Sequence, residues 1–386
     1  MDFLEYFNRT DVDRFIANNK FDKNQIGSVI QTQVEELSEI DIALFNVEED
    51  RASQENEGSA KGGEEVRRYL YQLYKGDHQL RIIDFGTIKA GDSVLDTYFA
   101  LKDTISTLLK AEVLPIIIGG SADLCFANYL AYTELEQSVN LVSIDSKFAL
   151  GDADEIIKSS NYLSKVLFHQ PNALFNFSNL GYQSYFVNPD ELRLLNDLFY
   201  DIYRLGEMKK DIKLTEPIIR NADFISFNLN AVAQPFASAN NGASPNGFTG
   251  EEACQMAKYA GMNDKLTSFG IYEFNPKVSD NGMTAHLVAQ MIWYFIEGYY
   301  QRQGDFPISD KKDYLKYNVN PEEGDENIIF YKSQKTDRWW MEVPYHSNIS
   351  RKYKRHLMLP CNYQDYITAT EGEIPERWFQ TFKKLK

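Results

Sequence analysis

Histidine and cysteine are scarce in this chain, at five and three of 386 residues. Cys125, Cys254 and Cys361 are odd in number and far apart, which excludes a disulfide framework and a zinc ribbon and fits a reducing cytoplasm. His78, His169, His286, His346 and His356 show no metal-ligand spacing. No apolar run approaches the ~18 residues of a membrane span. The opening "MDFLEYFNRTDVDRF" carries acids where a secretory leader needs bases, so a soluble cytoplasmic protein is expected. Positive charge is the minority, 40 Lys and Arg against 56 Asp and Glu, and the net charge of −16 argues against nucleic acid and anionic membranes as partners. That deficit is uneven: residues 301–386 hold 15 of the basic and 13 of the acidic side chains, so the negative charge belongs to the preceding part. Internal repeats and low-complexity tracts are absent.

What is present is ample apolar material, 43% hydrophobic and 14% aromatic, enough for a large core. Short β-rich runs alternate with helical patterns over the first 300 residues. The strands are expected at 40–47, 80–86, 113–120, 139–145, 175–182, 223–230 and 267–276. Between them lie helical stretches such as "SVLDTYFALKDTISTLLKA"; the last, "TAHLVAQMIWYFIEGYY", gathers Leu287, Val288, Met291, Ile292, Phe295 and Ile296 on one face. Such alternation implies an α/β fold with a parallel sheet and helices on both sides. Near Gly304 the character changes, so residues 1–303 are read as one domain and 304–386 as a C-terminal extension. The extension contains a hairpin, "NIIFYKSQKTDRWWMEVPY", a basic "RKYKRH" read as a solvated or subunit-facing surface, and a closing helix, "GEIPERWFQTFKKLK". It carries Trp339, Trp340 and Trp378 among Tyr331, Tyr345, Tyr353, Tyr363 and Tyr366. Such rings serve either an interface with another protein or copy, or packing against their own domain.

The chemistry should lie at the carboxyl ends of the strands. There "VLPIIIGGSADLCF" breaks at Gly119 and Gly120 into Ser121, Ala122 and Asp123, a poor set of groups for catalysis. Asp152 and Asp154 read as loop caps or solvated charges rather than a single-metal site. Cys125, in an apolar helix start, reads as a buried thiol rather than a nucleophile, and His286 as structural. "GSAKGG" lacks the G-K-[ST] ending of a phosphate loop.

Aligned on its strand ends, the chain resembles the ureohydrolase family of arginases, agmatinases and formimidoylglutamases. "NEGSAKGGEEVRRYL" resembles the glycine-rich stretch leading to a helical Arg, and "DFG" the D-x-G after the next strand. "IIIGGSAD" stands where the family has G-G-D-H-S, "SIDSKFA" where it has D-A-H-x-D, and "SFNLNAVAQP" where it has S-x-D-x-D-x-x-D-P. "YEFNPKVSDNGMTAHLVAQM" is similar to the closing E-x-N-P-x-x-D…T-A element, and "NLGYQ" to the G-x-Q of formimidoylglutamases. The resemblance implies a three-layer α/β/α fold with a mostly parallel sheet of about eight strands over roughly residues 30–300.

It also implies a manganese pair, but the ligand positions read Ala122, then Asp145, Lys147 and Ala149, then Asn228 and Asn230. Only Asp145 keeps a ligand type, while Glu273 remains from the closing element. Lys147 is expected to pair with Asp145 and Glu273. The implied reading is a pseudoenzyme with a metal-free pocket of Ser121, Ala122, Asp123, Asp145, Lys147, Ala149, Asn228, Asn230 and Glu273, no catalytic residue and no cofactor. It would act through another protein or self-association. The alternative is an active formimidoylglutamase-like hydrolase with unusual ligation.

Overall fold

Strands buried on both faces need apolar residues at nearly every position, and that is what the runs provide. The computed structural model describes residues 3–16, 20–307, 311–320, 327–344 and 351–385, without the side chains of 351 and 352. Tyr345 and His346, both singled out in the sequence, lie outside the described residues. Nine strands form the main sheet: β1 (Phe7–Asn8), β2 (Ile42–Val47), β3 (Ile82–Ile88), β4 (Leu114–Ile118), β5 (Val139–Ile144), β6 (Leu174–Tyr182), β7 (Asp201–Arg204), β8 (Phe224–Asn228) and β9 (Ser268–Tyr272). Their order is β1-β3-β2-β4-β9-β8-β5-β6-β7. All neighbours are parallel except β1, which runs antiparallel to β3. The two-residue β1 and the polar β7 escape a reading based on apolar runs.

Helices cover both faces and divide the core. Helices Gly250–Gly261 and Met283–Tyr300 supply Ala253, Met256, Val288, Ile292 and Phe295 to one cluster. Helices Val94–Lys110 and Leu124–Glu134 supply Leu101, Ile105, Leu124 and Tyr132 to the other. The helix starts are set locally, with Ser93 and Asp96, and again Thr249 and Glu252, forming reciprocal capping boxes. Helices Gly250–Gly261 and Met283–Tyr300 touch backbone to backbone, since a Cβ at Gly261 would meet the Phe295 carbonyl at 2.0 Å. This arginase-like three-layer architecture brings the carboxyl ends of β4, β9, β8 and β5 together at the centre of the sheet.

The C-terminal region is more than a hairpin and a helix. Strands β10 (Tyr314–Val319), β11 (Ile328–Ser333), β12 (Trp339–Glu342) and β13 (Met358–Cys361) form an antiparallel sheet in sequence order, followed by helices Tyr363–Thr370 and Glu376–Leu385. The expected hairpin is β11 and β12, paired as Tyr331 with Trp340. Trp339, Trp340 and Trp378 are only 8%, 1% and 2% exposed within the chain, so they pack against their own domain, one of the two roles open to them in the sequence. Trp339 stacks on Tyr317, Trp340 lies under the Arg220 guanidinium at 4.4 Å, and Trp378 Nε1 donates to the Glu342 carbonyl at 2.9 Å.

This second sheet docks at the amino ends of the main strands, opposite the central loops. Arg220 donates to the carbonyls of Trp339 at 3.2 Å and Cys361 at 3.1 Å. "RKYKRH" is solvated only in part: Lys354 is exposed, whereas Arg355 pairs with buried Asp223 just before β8, and His356 is buried and stacked on Phe175 of β6 at 4.1 Å. The reason is charge, because Asp223 at the amino end of β8 faces Lys265 and Arg355 together.

Candidate functional site

A cavity of about 380 Å³ opens at the carboxyl ends of β5, β8 and β9. Of the residues marked in the sequence, Asp145, Lys147, Ala149, Asn228, Asn230 and Glu273 line it. Ser121, Ala122 and Asp123 do not, which corrects their place in the pocket. All three are buried behind it, because the turn after Gly120 leads straight into helix Leu124–Glu134. Ala122 contributes its backbone N–H, which donates to Glu273 Oε1 at 2.8 Å. Asp123 turns into the core, where it accepts from the Tyr98 hydroxyl, and burial pushes its carboxyl up to about 6.

The deep wall is a chain of amides and two carboxylates. Asp145, at the end of β5, accepts from Asn228 Nδ2 at 2.8 Å on one oxygen and from the Lys147 backbone N–H at 3.2 Å on the other. Asn228 Oδ1 accepts from the Asn230 N–H, Asn230 Oδ1 from Asn240 Nδ2, and Asn240 Oδ1 from the Gly242 N–H. Across the cavity, Asn56 Nδ2 donates to Glu273 Oε2 at 2.6 Å, and Asn56 Oδ1 accepts from Asn275 Nδ2 at 3.0 Å. Asn228, Asn240 and Asn56 each spend a side-chain donor and an acceptor on their neighbours, which makes burial of so many polar groups tolerable. Asn56 and Asn240 were not legible as site residues, since asparagines in "QENEGS" and "SANNGAS" look like ordinary turn formers.

Burial dominates the electrostatics. It raises Asp145 to about 6 against the opposing hydrogen bonds, and raises Glu273 to about 7, where Asp123 and Asp145 add repulsion. Lys147 does not pair with either acid as expected. Its side chain is exposed and its Nζ sits 5.6 Å from the Phe186 ring, because the residue lies on the loop beyond β5; its backbone N–H bonds Asp145 while its charge acts on that carboxylate through space, without an ion-pair contact. Glu191 also lines the cavity, and burial raises its carboxyl. Asp145 and Glu273 are the strand-end carboxylates, and each of their oxygens already accepts an N–H. Among the described residues, no three His, Cys, Asp or Glu side chains are gathered closely enough to hold a metal ion.

The other candidates fall where the sequence put them. Asp152 and Asp154 are exposed and form a local turn, the Asp154 N–H donating to Asp152 Oδ1 at 2.9 Å. Cys125 is fully buried and its thiol pushed up to about 12, and His286 stacks on Tyr69 at 4.9 Å. "GSAKGG" forms a single 3-10 turn running into helix Gly62–Leu70.

A mostly parallel sheet with a polar cavity where neighbouring strand ends meet defines an α/β protein of the arginase-like class. The sequence model of the arginase family matches residues 40–297, and the chain belongs to that family. It is 24% identical over 270 residues to the formimidoylglutamase of Lysinibacillus sphaericus, spanning 66% of this chain and 82% of the relative. Against that of Staphylococcus epidermidis it is 23% identical over 245 residues, spanning 61% and 78%. The fold is similar to the crystal structure of Trypanosoma cruzi formiminoglutamase with Mn2+, at a TM-score of 0.66 and 19% identity over 72% of this chain and 99% of that one. It is likewise similar to Bacillus subtilis formimidoylglutamase, at 0.67 and 15% over 75% and 98%. The family match ends before β10, so the second sheet lies outside it. Among the described residues no helix is long and apolar enough to cross a membrane.

Proposed function

We propose that this chain is a non-catalytic member of the arginase family, whose cavity holds no manganese pair and whose role is binding, to another protein or to its own copies. The supporting observation is the 2.8 Å hydrogen bond from Asn228 Nδ2 to Asp145 Oδ2. The lone pair that a cation would use is occupied by an amide proton from the neighbouring strand end. Two divalent ions need several anionic donors to offset their charge. Here Asp145 and Glu273 are two carboxylates already hydrogen-bonded, Asn228 and Asn230 are neutral, and Ala122 offers only its backbone. The donor set therefore does not fit the pair.

The test is metal content after purification with added manganese and dialysis, together with release of formamide from N-formimidoylglutamate and of urea from arginine. No stoichiometric manganese and no release are expected. Retained manganese with hydrolysis that Asp145→Ala abolishes would overturn the reading. Co-isolation from cells and light scattering of the full chain then test the binding role, which fails if the chain is monomeric and recovers no partner. The second reading is an active formimidoylglutamase-like hydrolase with unusual ligation. The names of the relatives and the retained Asp145 and Glu273 favour it.

A further inference from the structure

The seam between the two sheets buries charge as well as apolar surface, and His356 stands in the middle of it. This residue leads into β13, is 2% exposed, and stacks its ring on Phe175 of β6 at 4.1 Å. Neither ring nitrogen has a hydrogen-bond partner among the described residues. Three cations act on it: Lys265 from the turn before β9, Arg355 from its own segment, and Lys384 from the closing helix. Asp223, before β8, is already committed. One of its oxygens takes Arg355, and the other takes Lys265 Nζ at 3.3 Å and the Asn140 N–H at 2.7 Å. Lys384 donates to Asn176 Oδ1, and Asn176 Nδ2 in turn donates to Asp201 of β7 at 2.7 Å.

A proton on this ring would be a buried positive charge among like charges. Burial and the three cations therefore hold the imidazole well below the usual histidine range, against the Ser138 backbone, which favours the proton. We propose that His356 is a pH-sensitive latch: neutral, it packs β13 and the second sheet onto the amino ends of the main strands, and in acid its protonation releases them. Once released the ring is an ordinary histidine, so below about pH 6.5 the released state binds a proton that the docked state refuses. The docked-to-released ratio then falls about tenfold per pH unit, or about 25-fold between pH 7 and pH 5. Lys265 and Lys384, each lowered to about 8, stay charged over that range. Asp365, raised by burial on helix Tyr363–Thr370, works in the opposite direction, so a histidine variant rather than the bare pH profile isolates the latch. The latch is independent of the proposed function at the central cavity.

Hydrogen exchange of β13 in the full chain at pH 7, 6 and 5, corrected for the intrinsic pH dependence of exchange, tests this. Protection should fall about 25-fold from pH 7 to pH 5 in the wild type and stay level in His356→Phe, whose ring can keep the stack on Phe175 without titrating. If that variant fails to fold, the imidazole resonance of His356 in the wild type decides: it should remain that of a neutral ring at pH 6, where a free histidine is mostly protonated. The same acid loss of protection in His356→Phe, unchanged protection of the wild type at pH 5, or an imidazole titrating near 6.5 while β13 stays protected would each overturn the proposal.

Discussion

Asn228→Asp changes one nitrogen into an oxygen, and the structure says what that costs. In the native chain Asn228 Nδ2 donates to Asp145 Oδ2 at 2.8 Å, while Asn228 Oδ1 accepts from the Asn230 N–H. The variant keeps the second bond and turns the first into two carboxylate oxygens face to face. Losing a hydrogen bond to a charged group costs about 2 kcal/mol, and a like charge at contact raises a carboxyl by about two pKa units, near 3 kcal/mol; the two overlap, leaving about 4 kcal/mol. The cost depends on pH. A carboxyl whose folded pKa lies above its unfolded value stabilises the fold while protonated and loses that contribution as pH rises through the folded value. Burial already places Asp145 at about 6, so at pH 5 the pair keeps a shared proton and the penalty is small. At pH 8 it is fully present, and in a chain of 386 residues it lowers Tm by roughly 5 °C. Thermal unfolding of variant and wild type at both pH values, with and without manganese, measures this. Equal destabilisation at pH 5 and pH 8, or manganese restoring the single variant, would refute the reasoning.

Glu273 is raised from 4.5 to about 7, so ionising it costs about 3 kcal/mol, lost from stability between about pH 4.5 and pH 7. Glu273→Gln should flatten the fall in unfolding free energy between pH 5 and pH 8 by about that amount, and an unchanged slope would assign the fall elsewhere. Arg220→Ala removes two hydrogen bonds to the carbonyls of Trp339 and Cys361, the ion pair with Glu216 and the stack on Trp340. It should cost about 3 to 5 kcal/mol and expose the region after Gly304 to limited proteolysis; wild-type resistance would mean that the second sheet is held by other contacts.

The strand ends were readable because burial on both faces leaves a mostly apolar run stopped by a polar residue, as in "LVSID" ending at Asp145 and "FISFN" ending at Asn228. Convergence of Asp145, Asn228 and Glu273 then followed from parallel neighbours. The second sheet was half readable. Its β11 and β12 pair locally, whereas β10 is half-exposed and mixed in polarity, and β13 is four residues long and joined to β12 across a long connection. The direction of a loop side chain was not readable at all. Lys147 stands at a family ligand position, which suggests pairing with Asp145, yet the chain leaves the strand at Asp145 and carries the ammonium outward.

Paired acids and bases also mislead when their partners are remote in sequence. "RKYKRH" looks solvated until Asp223, 132 residues away, is found buried beneath Arg355. The asparagines of the cavity show the converse. Each is unremarkable in its own loop, and together they do by hydrogen bonding what clustered carboxylates cannot do without counter-ions: they fill a buried polar space with neutral groups bonded to one another. Conversion of the cavity back to an ion site therefore requires more than new ligands. It must also break a connected amide network whose members position one another, which is why Asn228→Asp alone is expected to weaken the fold rather than recruit a metal.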